Sequence, residues 1–161
     1  MIVVSDTSPI TNLAAVGHLE LLQQLYGQIV IPPAVYRELT TAGETIPGYK
    51  EVQTFDWITV QPVNDSELVA SLLEQLDEGE AEAIALAVEQ QADWLLIDEE
   101  LGRQFAEAYQ IRFTGILGVL IEAKHRGLIA QVKVVLDDLI TNAEFWVSER
   151  LYRRVLQTVG E

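Results

Sequence analysis

Short apolar runs that alternate with longer helical segments constrain the fold of this chain most strongly. Five runs have the length and composition of buried strands: residues 2–5, 29–31, 57–60, 94–97 and 111–113. The segments between them carry helical apolar spacing or helix-start signals. Strands that alternate with helices form right-handed βαβ units, whose strands are parallel and whose helices cover both faces of the sheet. The sequence therefore predicts a three-layer α/β/α fold with a central, mostly parallel sheet of about 4–5 strands.

Four acidic residues lie at predicted junctions between a hydrophobic element and a turn: Asp6, Glu38, Glu80 and Asp98. In a parallel α/β sheet, the carboxyl ends of the strands and the starts of the following helices meet on one side, where ligands bind. Carboxylates gathered there repel one another unless a cation joins them. The positions of these four residues therefore predict a divalent-metal site.

Asp6 follows the first predicted strand, where an aspartate commonly caps the next helix or closes a turn. Here Ser8 and Pro9 form the better helix start, with Ser8 as the N-cap and Pro9 at the first helical position. That assignment leaves Asp6 without a structural role, which favours a functional one.

Glu80 lies on the apolar side of a predicted alanine-rich helix over residues 79–91. Successive helical residues are about 100° apart, which places Glu80 between Ile84 and Ala87. Glu82 falls on the opposite, polar side. A charge on the inner face needs a partner because an unpaired buried charge is costly, although the helix N-terminus compensates in part. Glu80 is favoured, but the sequence does not fix the choice between Glu80 and Glu82.

Asp98 and Glu38 are ambiguous when each is taken alone. Asp98 ends a predicted strand and would equally serve as the cap of a helix that begins at Glu99. A glutamate in an amphipathic helix, such as Glu38, is most often solvated and paired with a nearby base. Both alternatives stay open at this level.

The formal net charge of −15, from 25 acidic and 10 basic residues, argues against a general nucleic-acid binder. Polyanion binding draws on clustered Lys and Arg side chains. The bases are unevenly distributed, however, and six of them follow residue 120: Lys124, Arg126, Lys133, Arg150, Arg153 and Arg154. This asymmetry leaves room for a local basic patch.

Three aromatic residues, Phe145, Trp146 and Tyr152, lie among the last of these arginines. They can stack on nucleic-acid bases. A helix–helix or dimer contact is the more common role for such residues, and both interpretations stay open.

Cysteine is absent, which excludes disulfides, thiolate catalysis and Cys-ligated zinc. The two histidines, His18 and His125, are far apart in the sequence, which argues against a His-rich zinc site. No apolar stretch is long enough to span a bilayer, and no basic signal region precedes the first strand. A cytoplasmic location without a membrane partner is therefore expected.

Four segments, in order along the chain, resemble the motifs of the PIN-domain family, in particular its small prokaryotic VapC-like members. They are Val3-Val-Ser-Asp6-Thr-Ser-Pro, Val35-Tyr-Arg-Glu38-Leu, Gly79-Glu80-Ala-Glu-Ala-Ile-Ala-Leu-Ala and Leu96-Ile-Asp98-Glu. The resemblance covers the chain to about residue 125. It implies a single PIN-like domain over residues 1–161, with a helical C-terminal extension over about 126–161.

The resemblance implies a metal-dependent ribonuclease, possessing one or two Mg²⁺ or Mn²⁺ ions and acting on RNA. The implied metal-binding and catalytic residues, acting directly or through water, are Asp6, Glu38, Glu80 and Asp98. The implied supporting residues are Thr7 or Ser8 towards water or phosphate, and Glu99 or Glu82 outside the ligands. By the same resemblance the chain would be the toxin of a toxin–antitoxin pair and a homodimer, with an antitoxin that inserts Arg or Lys into the acidic pocket.

Other functions would require different residues at or near these positions. A PIN-like module that mainly binds protein would have little or no nuclease activity. A haloacid-dehalogenase-type phosphatase needs a second aspartate two positions after Asp6, where this chain has Ser8. A receiver-type phosphoacceptor needs a lysine after a late strand, and residues 112–114 supply none. Both phosphoryl-transfer classes are therefore disfavoured.

Overall fold

The computed structural model describes residues 1–161 and contains five strands and ten helices. None of the helices is both long and apolar enough to cross a membrane. In chain order the elements are β1 (Val3–Ser5), α1 (Thr7–Ala15), α2 (Glu20–Tyr26), β2 (Ile29–Ile31), α3 (Pro33–Thr41), α4 (Tyr49–Thr54), β3 (Ile58–Val60), α5 (Ser66–Leu72), α6 (Glu78–Gln90), β4 (Trp94–Leu96), α7 (Glu100–Ala108), β5 (Phe113–Thr114), α8 (Ile116–His125), α9 (Val132–Asn142) and α10 (Glu149–Thr158).

The strands form one sheet in the order β3-β2-β1-β4-β5. Every neighbouring pair is parallel, and in the centre Val4 lies opposite Val30 on one side and Leu95 on the other. The predicted fold class is confirmed: the sheet has five strands, within the predicted range of 4–5, and all of them are parallel. The chain winds outwards in one direction from β1 and in the other from β4. At such a switch point, the carboxyl ends of the two strands open a crevice.

Two apolar cores cover the two faces of the sheet. Successive strand residues point to opposite faces, so Val3 and Leu96 join one core while Val4 and Leu95 join the other. The first core is completed by side chains of α1, α2, α3, α8, α9 and α10. The second is completed by α5, α6 and α7. This packing fixes the starts of α1, α6 and α7 around the crevice.

The residues after Gly127 form two helices, as their pattern predicts, and these pack back onto the first core. The carboxylate of Glu161 accepts hydrogen bonds from the backbone N–H groups of Val132 and Lys133 at the start of α9, at 2.7 and 2.9 Å. It also accepts one from Lys124 at the end of α8, at 2.9 Å. The end of α10 is thereby attached to the connection between α8 and α9. The domain boundary near residue 126 stays a prediction.

Candidate functional site

A polar cleft of about 270 Å³ opens at the carboxyl edge of the sheet, and no hydrophobic residue lines it. The residues that line it come from the start of α1, from α3, from the start of α6 and from the turn after β4. They are Asp6, Thr7, Ser8, Thr11, Asn12, Glu38, Asp77 and Glu99. Four of the eight are acidic and none is basic, so the cleft carries concentrated negative charge.

Asp6 is the deepest acid of the cleft, with only 4% of its surface exposed. Its backbone N–H donates to the carbonyl of Leu96 at 2.9 Å, which holds the end of β1 against β4. Its carboxylate occupies the N-cap position of α1 but makes no capping hydrogen bond. The Asp6 side chain therefore does not cap the helix, as the sequence predicts. The predicted reason was that Ser8 is the cap, whereas Asp6 itself occupies the cap position and makes no capping hydrogen bond.

The assignment of Ser8 as the helix cap is wrong. The backbone at Asp6 is extended, with φ −77° and ψ 175°, and the helix begins directly at Thr7. Pro9 thus occupies the third helical position, where its missing N–H costs nothing because the first-turn N–H groups have no intrahelical acceptor. Ser8 lies inside the first turn, and its hydroxyl is buried without a hydrogen-bond partner.

Glu80 is the third residue of α6, and only 9% of its surface is exposed. Asp77 is the N-cap of this helix and accepts the Glu80 backbone N–H at 2.8 Å. A Cβ atom at Gly102 of α7 would lie 3.1 Å from Oε2 of Glu80. The glycine therefore lets α7 approach the buried carboxyl closely.

The buried acids form one electrostatic group with their neighbours. Burial, together with the charges of Asp77, Glu38 and Glu99, raises the pKa of Asp6 to about 7 against the lowering effect of the Thr7 amide. Burial also raises the pKa of Glu80 to about 8, helped by its hydrogen bond with Asp77 and by the charges of Asp77, Asp6 and Glu99. At neutral pH both carboxyls are therefore partly protonated, since no cationic side chain lines the cleft to favour their charged forms.

Glu38 reaches the cleft from α3. Its Oε2 atom accepts a hydrogen bond from the hydroxyl of Thr7. Its carboxylate lies over Gly79, where a Cβ atom would stand 2.6 and 2.8 Å from the two carboxylate oxygens. The absence of a side chain at position 79 thus makes the space that Glu38 occupies. The predicted convergence of Glu38 with Asp6 is observed.

Glu82 points away from the cleft towards α3. It accepts the backbone N–H of Ala34 at 3.1 Å, and its other oxygen lies 3.7 Å from Nη2 of Arg37. In this position it offsets the unpaired N–H groups at the start of α3. The geometry therefore places Glu80, and not Glu82, beside the other acids.

Asp98 is held by the start of α8 and does not line the cleft. Its Oδ1 atom accepts the backbone N–H of Ile116 at 3.0 Å and lies 3.7 Å from Nη2 of Arg103. Burial raises the pKa of Asp98, while the Ile116 N–H and the Arg103 guanidinium lower it. Its Oδ2 atom is buried without a partner. The sequence left open whether Asp98 caps the helix that follows it, α7. Asp98 accepts a hydrogen bond at the start of α8 instead, and the next residue, Glu99, lines the cleft.

The sequence reasoning missed three cleft residues, Thr11, Asn12 and Asp77, of which Asp77 is the acidic one. Its signal was present, because an aspartate three positions before a glutamate at a helix start has the spacing of a capping box. The carboxylate of Asp77 caps α6 and also borders the cleft. One side chain, that of Asp77, therefore has both a capping role and a place in the cleft.

The donor atoms suit a hard divalent cation with water in its shell. No group of three or more acidic, histidine or cysteine side chains is arranged to hold a metal ion by itself. Mg²⁺ is usually bound by one or two carboxylates and keeps several waters. The buried carboxyls of Asp6 and Glu80, the carboxylates and hydroxyls of the lining and the unpartnered Ser8 hydroxyl fit such a hydrated ion.

A five-stranded parallel sheet with an acidic cleft at its switch point defines an α/β protein with a candidate cation site. A family model described as "DUF3368: PIN domain" matches residues 2–161. The chain therefore belongs to the PIN-domain family, a nuclease-type fold, and the resemblance seen in its sequence is confirmed for the family. The likeness to VapC-like members stays a prediction.

A solved structure of a PilT N-terminus domain protein from the hyperthermophilic archaeon Sulfolobus solfataricus P2 is similar to this chain. The two share 18% identity, and the match covers 76% of this chain and 93% of the other, with a TM-score of 0.59. At that identity the likeness shows the fold alone. No curated protein sequence matches the chain significantly.

Proposed function

We propose that this protein is a metal-dependent endoribonuclease that hydrolyses RNA phosphodiesters with Mg²⁺ or Mn²⁺. The observation that carries the proposal is a pair of buried carboxyls that interact: Asp6 lines a cleft whose charged residues are all acidic, and Glu80 lies behind that lining, close enough to Asp6 and Asp77 for their charges to raise its pKa. Buried charges of one sign are costly unless a counter-charge joins them. A divalent cation supplies that counter-charge in the smallest volume.

Asp6 and Glu80 would hold the ion directly, and the remaining acids would contact it through water. Those acids are Glu38, Asp77, Glu99 and, through its free Oδ2 atom, Asp98. The bound ion would activate a water molecule and offset the charge that develops on the phosphate. Thr7 holds the carboxylate of Glu38 at the rim, which fixes the side of the cleft that faces α3.

The start of α1 is the natural position for the substrate phosphate. Backbone N–H groups at a helix N-terminus, together with the helix dipole, favour an anion. The unpartnered hydroxyl of Ser8 lies in this first turn, and Asn12 lines the cleft one turn further on. These groups supply neutral hydrogen-bond donors in a cleft whose charged residues repel RNA.

The toxin assignment is part of the same proposal. An antitoxin would neutralise this cleft by inserting an Arg or Lys side chain among its acids, in place of the cation. The homodimer expected from the family resemblance also stays a proposal.

The test is RNA cleavage and ion binding by the purified full chain. Labelled single-stranded RNA is incubated with Mn²⁺ or Mg²⁺, and Mn²⁺ binding is measured separately by electron paramagnetic resonance. Asp6→Asn should lower cleavage at least about 100-fold, since a removed ligand of a catalytic ion removes several kcal/mol of transition-state stabilisation. Asp56→Asn is the matched control, because Asp56 is exposed and lies in the turn before β3.

Two outcomes would overturn the proposal. Wild-type protein that binds neither ion and leaves RNA intact would favour the protein-interaction module instead. Cleavage that survives Asp6→Asn unchanged would show that the activity comes from a contaminant or from another site.

A further inference from the structure

The outer face of α10 carries a surface of arginines, here called the arginine surface: Arg150, Arg153 and Arg154. Together with Glu149 and Gln157 they line a depression of about 500 Å³ that contains no hydrophobic residue. Helical residues three and four positions apart are neighbours on a helix face. The three guanidinium groups therefore point to the same side of the helix.

Two of these arginines have no acidic partner, although acids outnumber bases 25 to 10 in this chain. Six of the ten bases form salt bridges: Arg37, Arg103, Lys124, Arg126, Lys133 and Arg153. Arg150 and Arg154 form none, and they lie four residues apart, where like charges destabilise a helix. An anion bound between them would remove that repulsion.

Hydrogen bonds fix how the last three helices lie relative to one another. α8 begins at the cleft end, where Asp98 accepts the N–H of Ile116. α9 follows α8 after a short connection, and α10 packs antiparallel to α9. At one end Glu161 bonds to Val132, and further along Tyr152 bonds to Asp137 at 2.5 Å. The end of α10 therefore lies beside the start of α9, and the arginine surface shares no lining residue with the acidic cleft.

Trp146 lies in the turn just before α10 and is 82% exposed. An indole with so much of its surface in water contributes little to the cores. Aromatic side chains beside arginines form the stacking platforms of proteins that bind single-stranded nucleic acid.

We propose that Trp146 and the arginine surface bind single-stranded RNA and retain it on the protein, outside the lining of the acidic cleft. The guanidinium groups would contact backbone phosphates, which match their planar, two-pronged geometry. Trp146 would stack on one base. This inference rests on the proposed ribonuclease function and adds to it the surface that retains the substrate. A polyanion is favoured over an apolar partner because the depression has no hydrophobic lining and holds two unneutralised cations.

The test measures RNA binding without cleavage. A fluorescein-labelled single-stranded RNA of about 10–15 nucleotides, long enough to cover a typical single-strand site, is titrated in EDTA and followed by anisotropy. Arg150→Glu and Arg154→Glu should each raise the Kd at least about tenfold. Each should also reduce the slope of log K against log salt by about 0.7 or more, the value for one single-strand phosphate contact. Lys50→Glu is the matched control, because Lys50 is an exposed base without a salt bridge in α4.

Trp146→Ala tests the stacking contact. Loss of one base–aromatic stack should raise the Kd by about 5- to 150-fold, with far-ultraviolet circular dichroism unchanged because the side chain is exposed. Equal affinities for wild-type, Arg150→Glu and Trp146→Ala proteins would overturn the inference. So would a Trp146→Ala protein that changes from dimer to monomer in sedimentation while its RNA affinity stays the same, since the surface would then be a contact with a second copy.

The two proposals fail in different ways. Wild-type protein that binds RNA through this surface but cleaves none with Mn²⁺ contradicts the ribonuclease function alone. Wild-type protein that cleaves RNA, with arginine variants that bind and cleave as the Lys50→Glu control does, contradicts this inference alone.

Discussion

Ionisation of the buried acids should make the metal-free protein less stable as the pH rises. Asp6 has a folded-state pKa of about 7 against an ordinary value of 3.8, and Glu80 has one of about 8 against 4.5. A carboxyl whose pKa is raised by folding favours the folded state fully only below its unfolded pKa. That contribution is lost as the pH rises through the folded pKa. The free energy of unfolding should therefore fall between about pH 4 and about pH 8.

The magnitude follows from the shift at Asp6. One pKa unit corresponds to about 1.4 kcal/mol. With the two pKa values of Asp6, linkage gives a loss of about 2–3 kcal/mol in the free energy of unfolding between pH 5 and pH 8. For a chain of 161 residues, that loss lowers the Tm by about 5–10 °C. Glu80 interacts with Asp6, so its share adds to this value only in part.

Urea unfolding at pH 5, 6, 7 and 8 in EDTA measures this loss. Asp6→Asn removes the ionising group, so its unfolding free energy should fall about 2–3 kcal/mol less over that range than that of wild type. Asp56→Asn should follow wild type, because both share the remaining charge of the chain. Added Mn²⁺ should restore wild-type stability at pH 8 and stabilise Asp6→Asn less. Parallel pH curves for wild type and Asp6→Asn would refute the burial of an ionising carboxyl at this position.

Two further predictions concern single contacts. Gly79→Ala places a methyl group 2.6 Å from Oε1 of Glu38, so RNA cleavage should fall at least about tenfold while helix content is kept, since alanine favours a helix. Unchanged cleavage by that variant would show that the position of Glu38 is dispensable. Glu161→Gln weakens the charged hydrogen bonds to Lys124 and to the start of α9, so urea unfolding should show a loss of about 1–2 kcal/mol with cleavage unchanged. Equal unfolding midpoints for Glu161→Gln and wild type would show that Glu161 does not stabilise the attachment of α10 to α8 and α9.

The fold was predictable because the central strands β1, β2 and β4 are buried or half-buried on both faces and therefore read as short apolar runs. The run at residues 29–31 matches β2 in both its bounds. The last strand was less accurately placed, at 111–113 instead of Phe113–Thr114. The backbone N–H of Ile111 bonds to the carbonyl of Ala106 and closes the turn after α7. A hydrophobic residue used in such a turn has the same sequence pattern as one in a strand.

The direction of a site residue's side chain was predictable where regular helix geometry sets it and was not predictable where a turn sets it. The helical wheel identified Glu80 as an inward-facing acid because the start of α6 is regular. The direction of Asp98 depends instead on the start of α8, which lies 18 residues further along the chain and offers the N–H of Ile116. Spacing within one segment carries no information on that contact. For the same reason the sequence could not show that Glu99, rather than Asp98, faces the cleft.

The net charge of −15 is compatible with the proposed ribonuclease function only if acidic and basic side chains lie on separate surfaces of the molecule. The cleft gathers acids and repels phosphate until a cation is present, so it cannot retain RNA by itself. Its partly protonated carboxyls at neutral pH also make ion binding compete with protons. On the proposed function, retention of the polyanion therefore requires bases that are not already neutralised. Of the four bases without a salt bridge, Lys50, Arg112, Arg150 and Arg154, only the last two lie together in one depression. The acidity of the chain thus limits the surfaces that can hold RNA, and it makes α10 the surface to test first.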